Sequence, residues 1–333
     1  MQPSLSAALS SASPITILAP SNDAFTKFLA TAGGMSASKD SGMVAGLLEY
    51  HVLNGSFPST AFTTEEQFVP TLLTNASFTN VTGGQVVAGM LSGKTVEIMS
   101  GLKEISKVTT ADVMFTGGVI HIIDTVLTVP LPPSTSALDS SLTALAGGLE
   151  KTNLVSAVDF LKDVTIFAPS NAAFQAIGSA TTALSTTQLS SILEYHVING
   201  TVGYSTLLST GLANETFPTL MGTEVAVEAV NKKVFVDAAM VTITDIIVAN
   251  GVMHVIDNVL NPANSTATPN PAASTQAVVF AGASSVSQVP FTSGVSATTT
   301  APSASTMTAG AERAYGTMGV AALLGMGVIA GAF

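Results

Sequence analysis

The chain has 333 residues, a length that favours about two domains. It carries 10 Lys and Arg against 21 Asp and Glu, and this net charge of −11, with no basic run, argues against nucleic acid as a partner. There is no cysteine, so the fold cannot depend on a disulfide framework.

The first predicted elements are a buried strand and a helix that meet at a corner. The apolar run 15–18 is followed by Pro20, which ends strand pairing. Ser21 or Asn22 can then cap a helix that begins near Ala24. We expect these two polar residues to be structural caps and not catalytic groups.

A second helix is predicted before Asn54. From Val44 to Val52 the apolar residues and His51 recur at helical spacing, which places them on one face. Asn54 and Gly55 tolerate the left-handed conformation and are predicted to end the element.

Short strands are predicted for the rest of the first unit. The Gly-, Thr- and Asn-rich segment 75–94 is typical of a surface hairpin, and strands are predicted at 95–99 and 108–114. The β-branched run 119–126 predicts a central strand that turns at Asp124.

Three stretches of this first unit recur in the same order later in the chain, so one unit occurs twice. The pairs are EYHVLNG (49–55) with EYHVING (194–200), ITILAPSNDAF (15–25) with VTIFAPSNAAF (164–174), and GVIHIIDTVL (118–127) with GVMHVIDNVL (251–260).

In this order the three motifs resemble those of the fasciclin domain family. The resemblance covers roughly residues 1–262 and implies an α+β fold: two tandem domains, each a β-wedge of short strands flanked by helices. It further implies an extracellular adhesion or matrix module that is not an enzyme and needs no cofactor.

The expected domain boundaries follow from the repeats and from changes in composition. We predict a first domain at 1–130 that lacks its natural start, a short linker at 131–135 and a second domain at 136–262. A Ser-, Thr- and Pro-rich segment at 263–309 predicts a disordered, O-glycosylated stalk, and 310–333 is a hydrophobic tail.

The resemblance also suggests partner-binding residues, because an Asp-Ile pair and the Tyr-His motif are implicated in receptor binding in animal relatives. The first domain departs from this pattern, since it has Val113 after Asp112. The matching positions are Tyr50, His51, Tyr195, His196, Asp245 and Ile246.

His51 and His196 allow two interpretations. They could contact a metal or a ligand, or they could be core histidines that bond to the backbone, which is the interpretation we favour.

His121 and Asp124 are three residues apart in a strand, which sends them to opposite faces and argues against a catalytic dyad. The sequence contains no metal-ligand spacing, P-loop, nucleophile elbow or dinucleotide fingerprint.

Modification sites are predicted on both domains and in the tail. Among the Asn-x-Ser/Thr sequons, those at Asn75, Asn80, Asn214 and Asn264 are favoured over Asn54 and Asn199, which lie at helix ends.

The uncharged run 314–333 and the small residues before it are typical of a glycosylphosphatidylinositol (GPI) signal. Attachment is expected at Ala309 or Gly310, with Ser303 as the alternative. A tail-anchored helix is a second interpretation of the run.

Two functions are therefore open. The protein is expected to be a cell-surface adhesion or matrix-interaction protein, of a kind that suits a fungal surface. Its expected partners are extracellular proteins, matrix or glycans, and homophilic binding is one option. A lipid anchor is expected to hold it at the plasma membrane. The alternative is a cell-wall structural protein that binds polysaccharide, although 6% aromatic residues and no Trp argue mildly against a dedicated lectin.

Overall fold

The computed structural model describes residues 14–295. The chain divides into two units between Leu131 and Pro132, and each is described by itself.

The first unit is built on a seven-stranded sheet with the order β2-β1-β7-β6-β5-β4-β3. β1 pairs with β7 in parallel, and the other neighbours are antiparallel. The strands are β1 (Ile15–Pro20), β2 (Val52–Asn54), β3 (Gln67–Pro70), β4 (Val86–Ser92), β5 (Thr95–Met99), β6 (Ile105–Phe115) and β7 (Gly118–Ile123). The helices are α1 (Asn22–Ala30), α2 (Ala32–Ala37) and α3 (Ser41–Tyr50), with 3₁₀ turns at Ser59–Ala61 and Gly101–Lys103.

The second unit repeats this topology, with the strand order β10-β11-β12-β13-β14-β8-β9. Its strands are β8 (Val164–Pro169), β9 (Val197–Asn199), β10 (Glu215–Pro218), β11 (Glu224–Val230), β12 (Lys233–Val236), β13 (Ala239–Val248) and β14 (Gly251–Ile256). Its helices are α4 (Pro133–Asp139), α5 (Thr143–Lys151), α6 (Val155–Asp159), α7 (Asn171–Ala176), α8 (Gly178–Thr181), α9 (Thr186–Tyr195) and α10 (Ser205–Leu208), with a 3₁₀ turn at Pro262–Asn264. α4 begins at Pro133, inside the segment expected to be a linker, because proline suits the first turn of a helix.

The corner between strand and helix is the same in both units. Ser21 Oγ accepts a hydrogen bond from the amide of Ala24, and Ser170 Oγ accepts one from Ala173. The predicted caps are therefore confirmed, and the serine, not the asparagine that follows it, supplies the capping oxygen.

A glycine allows the parallel strands of each unit to approach closely. Gly251 begins β14, where a Cβ atom would collide with the backbone carbonyl of Val164 in β8. Gly118 is in the same position against Ile15. The repeated glycine is thus required by the pairing of the central strands.

The end of the Tyr-His helix differs from the prediction. α3 ends at Tyr50, and the residues up to Asn54 form β2, which pairs with β1. The continuous apolar run hides this change, because a short buried strand and a helix end look alike by periodicity alone. Gly55, with φ at 134°, follows the strand and not the helix.

The predicted surface hairpin at 75–94 is wrong in part. Phe78 is 7% exposed and belongs to the core, where it packs against Gly46 of α3. Residues from Val86 onward form β4, whose first half is buried. The exposed parts of the segment are residues 74–77, 82–83 and the turn at 92–94, whereas Phe78 between them returns to the core to cover α3.

The two sheets differ in how they are covered. Val113, Met114 and Phe115 of β6 are exposed, whereas the matching residues of β13, from Ile246 to Val248, are buried. In the second unit, Ile246 and Val248 share a core with residues of α4, α5 and α6, the helices that precede β8.

Residues 276–295 do not extend away from the second unit, as the expected stalk would. Phe280, Val289 and Phe291 pack against its core, because this part of the Ser- and Thr-rich segment carries regularly spaced apolar residues. Residues 296–309 of the predicted stalk and the tail at 310–333 lie outside the described residues.

Candidate functional site

The Tyr-His motif lies at the C-terminal end of an equivalent helix in each unit. In the second unit a capping box formed by Ser185 and Gln188 starts this helix. Tyr195 directs its hydroxyl to the Asp237 carboxylate at 2.7 Å, and Tyr50 donates to the carbonyl of Val86 at 2.9 Å. Both tyrosine side chains are buried and tie the helix to the strands of the sheet.

The histidine of each motif joins the helix end to the segment after the last strand. In the second unit His196 Nδ1 lies 2.6 Å from the Ile192 carbonyl, and its Nε2 accepts a hydrogen bond from the amide of Leu260. His51 makes the same two bonds, to the carbonyl of Leu47 and from the amide of Leu127. A neutral ring with its proton on Nδ1 satisfies both partners.

Burial keeps these rings neutral. It lowers the pKa of His51 and of His196 to about 4, although the bond to the helix carbonyl acts in the opposite direction. The interpretation of both residues as core histidines is therefore confirmed by their burial and hydrogen bonds.

A second histidine in each unit positions an aspartate at a strand irregularity. Asp245 lies where the register of β13 shifts, with φ at 59°, and its amide donates to His254 Nδ1 at 3.1 Å. His254 Nε2 lies 2.8 Å from the carbonyl of Gly203. The ring thus clamps the loop before α10 against the bulge in β13.

The Asp245 carboxylate is fully buried. Its Oδ1 accepts a hydrogen bond from the amide of Ser205, while its Oδ2 has no hydrogen-bond partner. Burial, followed by the nearby charges of Asp245 and Asp163, raises the pKa of the Tyr204 hydroxyl. Ile246 is also buried, so neither residue of the Asp-Ile pair presents a side chain at the surface.

The first unit has the same aspartate–histidine arrangement, but its aspartate is exposed to solvent. Asp112 has φ at 60°, and its amide donates to His121 Nδ1 at 3.2 Å, yet the residue is exposed. The hydroxyl and amide of Ser59 both donate to its carboxylate and lower its pKa. Asp124 accepts instead from the amide of Lys107, so His121 and Asp124 do not form a dyad.

Four of the six candidate partner-binding residues lie at the Tyr-His helix ends of the two units, and Asp245 and Ile246 lie at the bulge before the last strand of the second unit. All six side chains are buried. The sequence did not indicate the roles of Ser59, Asp237 and Gly203, since each is a single residue in a turn or loop outside the repeated motifs.

The favoured sequons differ in accessibility. Asn75, Asn214 and Asn264 are exposed, and Asn80 is half-buried; Asn54 and Asn199 are exposed as well. The anchor candidates Ser303, Ala309 and Gly310 lie outside the described residues.

Two further features of residues 14–295 concern metal binding and membrane crossing. This part of the chain contains no group of three His, Asp or Glu residues placed to hold a metal ion. Among its helices, none has the length and apolar character needed to cross a bilayer.

The repeated wedge and its buried Tyr-His clamp define a tandem α+β module of the fasciclin type. The fasciclin domain model matches residues 2–130 and 140–262, and the chain belongs to the fasciclin domain family.

Two relatives agree with this assignment by sequence. A fasciclin-like arabinogalactan protein of the fungus Arthroderma benhamiae is 36% identical over 300 residues, which are 90% of this chain and 70% of the relative. The cell surface glycolipoprotein MPB83 of Mycobacterium bovis is 36% identical over 135 residues, or 39% of this chain and 58% of the relative. A solved FAS1 domain pair from the insect cell adhesion molecule fasciclin I matches with a TM-score of 0.39 and 20% identity, over 79% of this chain and 94% of the other. The family and its relatives support a role in adhesion at the cell surface or in the cell wall.

Proposed function

We propose that the protein is a non-catalytic adhesion or matrix-interaction protein that acts at the cell surface through its two fasciclin domains. The observation that carries the proposal is the family match over both domains, together with the 36% identity to a fungal fasciclin-like arabinogalactan protein. Its partners are extracellular proteins, matrix components or glycans, with a second copy of the chain among the candidates. The negative charge of the chain gives nucleic acid no role.

In this proposal the Tyr-His and Asp-Ile motifs support the binding surface and do not contact the partner. The support comes from the burial of these side chains and from the backbone groups that they bond: Leu127 by His51, Leu260 by His196 and Ser205 by Asp245. A substitution of His196 or Asp245 would alter binding indirectly, through a loss of the folded domain.

The alternative is a cell-wall structural protein whose ligand is polysaccharide. One specific observation favours it: the fungal relative is named an arabinogalactan protein, which ties that relative to carbohydrate. The absence of Trp from the chain favours protein ligands, since sugar sites commonly stack on aromatic rings.

A paired binding experiment on the full chain separates the two functions. We expect retention on extracellular or cell-surface proteins that soluble oligosaccharides do not reverse. Binding on a glycan array, with elution by the same oligosaccharide, would instead support the polysaccharide function. His196→Ala and the exposed control Asn199→Ala should be included, so that an unfolded domain is not mistaken for a lost contact.

We further propose that the protein is N-glycosylated and held at the membrane by a lipid. The exposure of Asn75, Asn214 and Asn264 is compatible with glycans there, and Asn80 is the less accessible candidate. The name of the mycobacterial relative, a cell surface glycolipoprotein, adds indirect support for both modifications. The anchor itself is proposed from the small residues at Ala309 and Gly310, or at Ser303, and from the apolar tail.

A further inference from the structure

Residues 276–295, called the strap below, are fastened to the second domain at their start. The amide of Gln276 donates to Asp257 Oδ2 at 2.9 Å, and Asn258 Nδ2 donates to the Ala277 carbonyl at 2.6 Å. Asn261 Nδ2 donates to the Val279 carbonyl at 3.0 Å. The segment just after β14 therefore supplies side chains that form hydrogen bonds with the backbone of the strap.

The middle of the strap bonds to α7 and α8. The amide of Val286 donates to the Gln175 carbonyl, and the amide of Ser179 donates to the Ser284 carbonyl, both at 3.1 Å. In return, the Ser284 amide donates to Ser179 Oγ and Gln175 Nε2 donates to the Ser287 carbonyl. These bonds hold the main chain of the strap, because each of them involves a backbone amide or carbonyl of the strap.

The apolar contacts of the strap follow a period of three. The inward residues are half-buried, and the serines between them are exposed; the inward residues are Phe280, Ala283, Val286 and Val289. Phe291 then meets Phe174 edge-on, with ring centroids 5.9 Å apart, and Lys151 Nζ lies 5.0 Å from the Phe291 centroid. One edge of the strap is thus shaped for the domain, while the other faces solvent.

Two glycines make the room for this fit. A Cβ atom on Gly147 in α5 would collide with the backbone carbonyl of Phe291, and one on Gly178 would collide with the side chain of Val286. Glycine is a poor residue inside a helix, so Gly147 costs helix stability at the place where the strap passes. The adjacent Gly148 has room for a Cβ atom, whose closest contact would be Leu193 at 3.4 Å.

The first domain lacks this notch. Four residues after the repeated phenylalanine it has Leu29, where the second domain has Gly178. The phenylalanine itself, Phe25, is 37% exposed, whereas Phe174 is 1% exposed. At these positions the groove is therefore a feature of the second domain that the first domain does not share.

The strap contacts the domain along part of its length and leaves open space beside it. An open cavity of about 950 Å³ lies against it, lined by Thr143, Thr181, Thr182 and strap residues 286–293. The strap carries no charged residue, so hydrogen bonds and apolar contacts hold it. We infer that this groove is a peptide-recognition surface of the second domain, for which residues 276–295 of this chain are the ligand.

Amide hydrogen exchange on the full chain tests whether the groove holds the strap. The amides of Ser284 and Val286 are protected in the wild type and in Gly148→Ala, and they exchange at least tenfold faster in Gly147→Ala. Alanine is the better helix former, so α5 itself keeps its protection. Equal protection of the strap in Gly147→Ala and Gly148→Ala overturns the proposal. If α5 also loses protection, Phe291→Ala decides, because this change alters no residue of α5 and should still release the end of the strap.

A labelled synthetic peptide of residues 276–295 tests recognition by a second copy of the segment. Full-length Phe291→Ala, whose own strap is weakened, binds the peptide at least tenfold more tightly than the wild type does. The double variant Phe291→Ala/Gly147→Ala does not bind it, and a scrambled peptide binds none of the three. Equal binding by the single and double variants, or no binding by the single variant, overturns the proposal and leaves the adhesion function unaffected.

Discussion

At the scale of single residues, the histidine after each tyrosine joins two backbone groups that lie far apart in the sequence. His196 satisfies a carbonyl at the end of α9 and an amide beyond β14, 64 residues away in sequence. Leu260 is buried, so its amide would lose its hydrogen-bond partner if the ring were removed.

The first prediction is that His196→Ala lowers stability more than it lowers partner affinity. The loss of one buried hydrogen-bonding side chain costs roughly 1–3 kcal/mol of unfolding free energy. Denaturant unfolding should show this loss for His196→Ala and a similar one for His51→Ala in the first domain. Asn199→Ala, three residues away and exposed, is the control. Unchanged stability combined with lost adhesion would show that the histidine is a contact residue.

The second prediction concerns acid. The folded-state pKa of both histidines is about 4, against a usual 6.5, so the unfolded chain binds more protons between these values. Stability is then fully present above about pH 6.5 and is lost as the pH falls towards 4. The steepest slope is about 1.4 kcal/mol per pH unit for each histidine. Burial raises the pKa of Asp237 and Asp257, which favours the folded state at low pH and opposes the trend near pH 4.

Unfolding curves measured at several pH values check this expectation. A variant with both His51→Gln and His196→Gln keeps polar side chains that do not titrate, and its stability should depend less on pH in this window. A profile as steep as that of the wild type would mean that other groups cause the acid sensitivity.

At the scale of elements, the sequence predicted most of the repeated unit. The strand at Thr95–Met99 has the predicted bounds, and the helices begin at the predicted caps. These elements follow from local patterns: alternation, helical spacing and a capping serine. The α+β class of the wedge was predicted through the order of the repeated motifs.

The remaining elements depend on contacts between distant residues. β2 forms because Val52 meets β1, and Phe78 is buried because α3 carries a glycine opposite it. The strap was interpreted as part of a stalk, although apolar residues recur at every third position. Composition hid this pattern, and only the notch at Gly147 and Gly178 explains why the segment docks. The burial of Asp245 likewise depends on the neighbouring loop and not on its own sequence context.

The third prediction tests the central strand pairing. Gly251→Ala places a methyl group against the Val164 carbonyl, and the backbone must move to make room. We expect a loss of roughly 1–3 kcal/mol, the usual cost of overpacking. Gly211→Ala is the matched control, because a Cβ atom there meets nothing within 4 Å. The stability of both variants is measured by denaturant unfolding. Equal losses in Gly251→Ala and Gly211→Ala would contradict the role given to the repeated glycine.

At the scale of the whole molecule, two domains of one family are followed by a segment without charge and an apolar end. The described part of the second domain continues to residue 295 through the strap. If the chain is held at a membrane by its C-terminal end, the strap is the last part of the described structure before that attachment.

The last prediction concerns this attachment. Residues 314–333 carry no charge, and small residues such as Ala309 and Gly310 precede them, as in a glycosylphosphatidylinositol signal. Cleavage near Ala309, Gly310 or Ser303 and replacement of the tail by a glycolipid would hold the protein at the outer surface. Phosphatidylinositol-specific phospholipase C should then release it from intact cells, whereas a high-salt wash should not. Retention after the phospholipase, with a recovered peptide that ends at Phe333, would support the tail-anchored helix in place of the lipid.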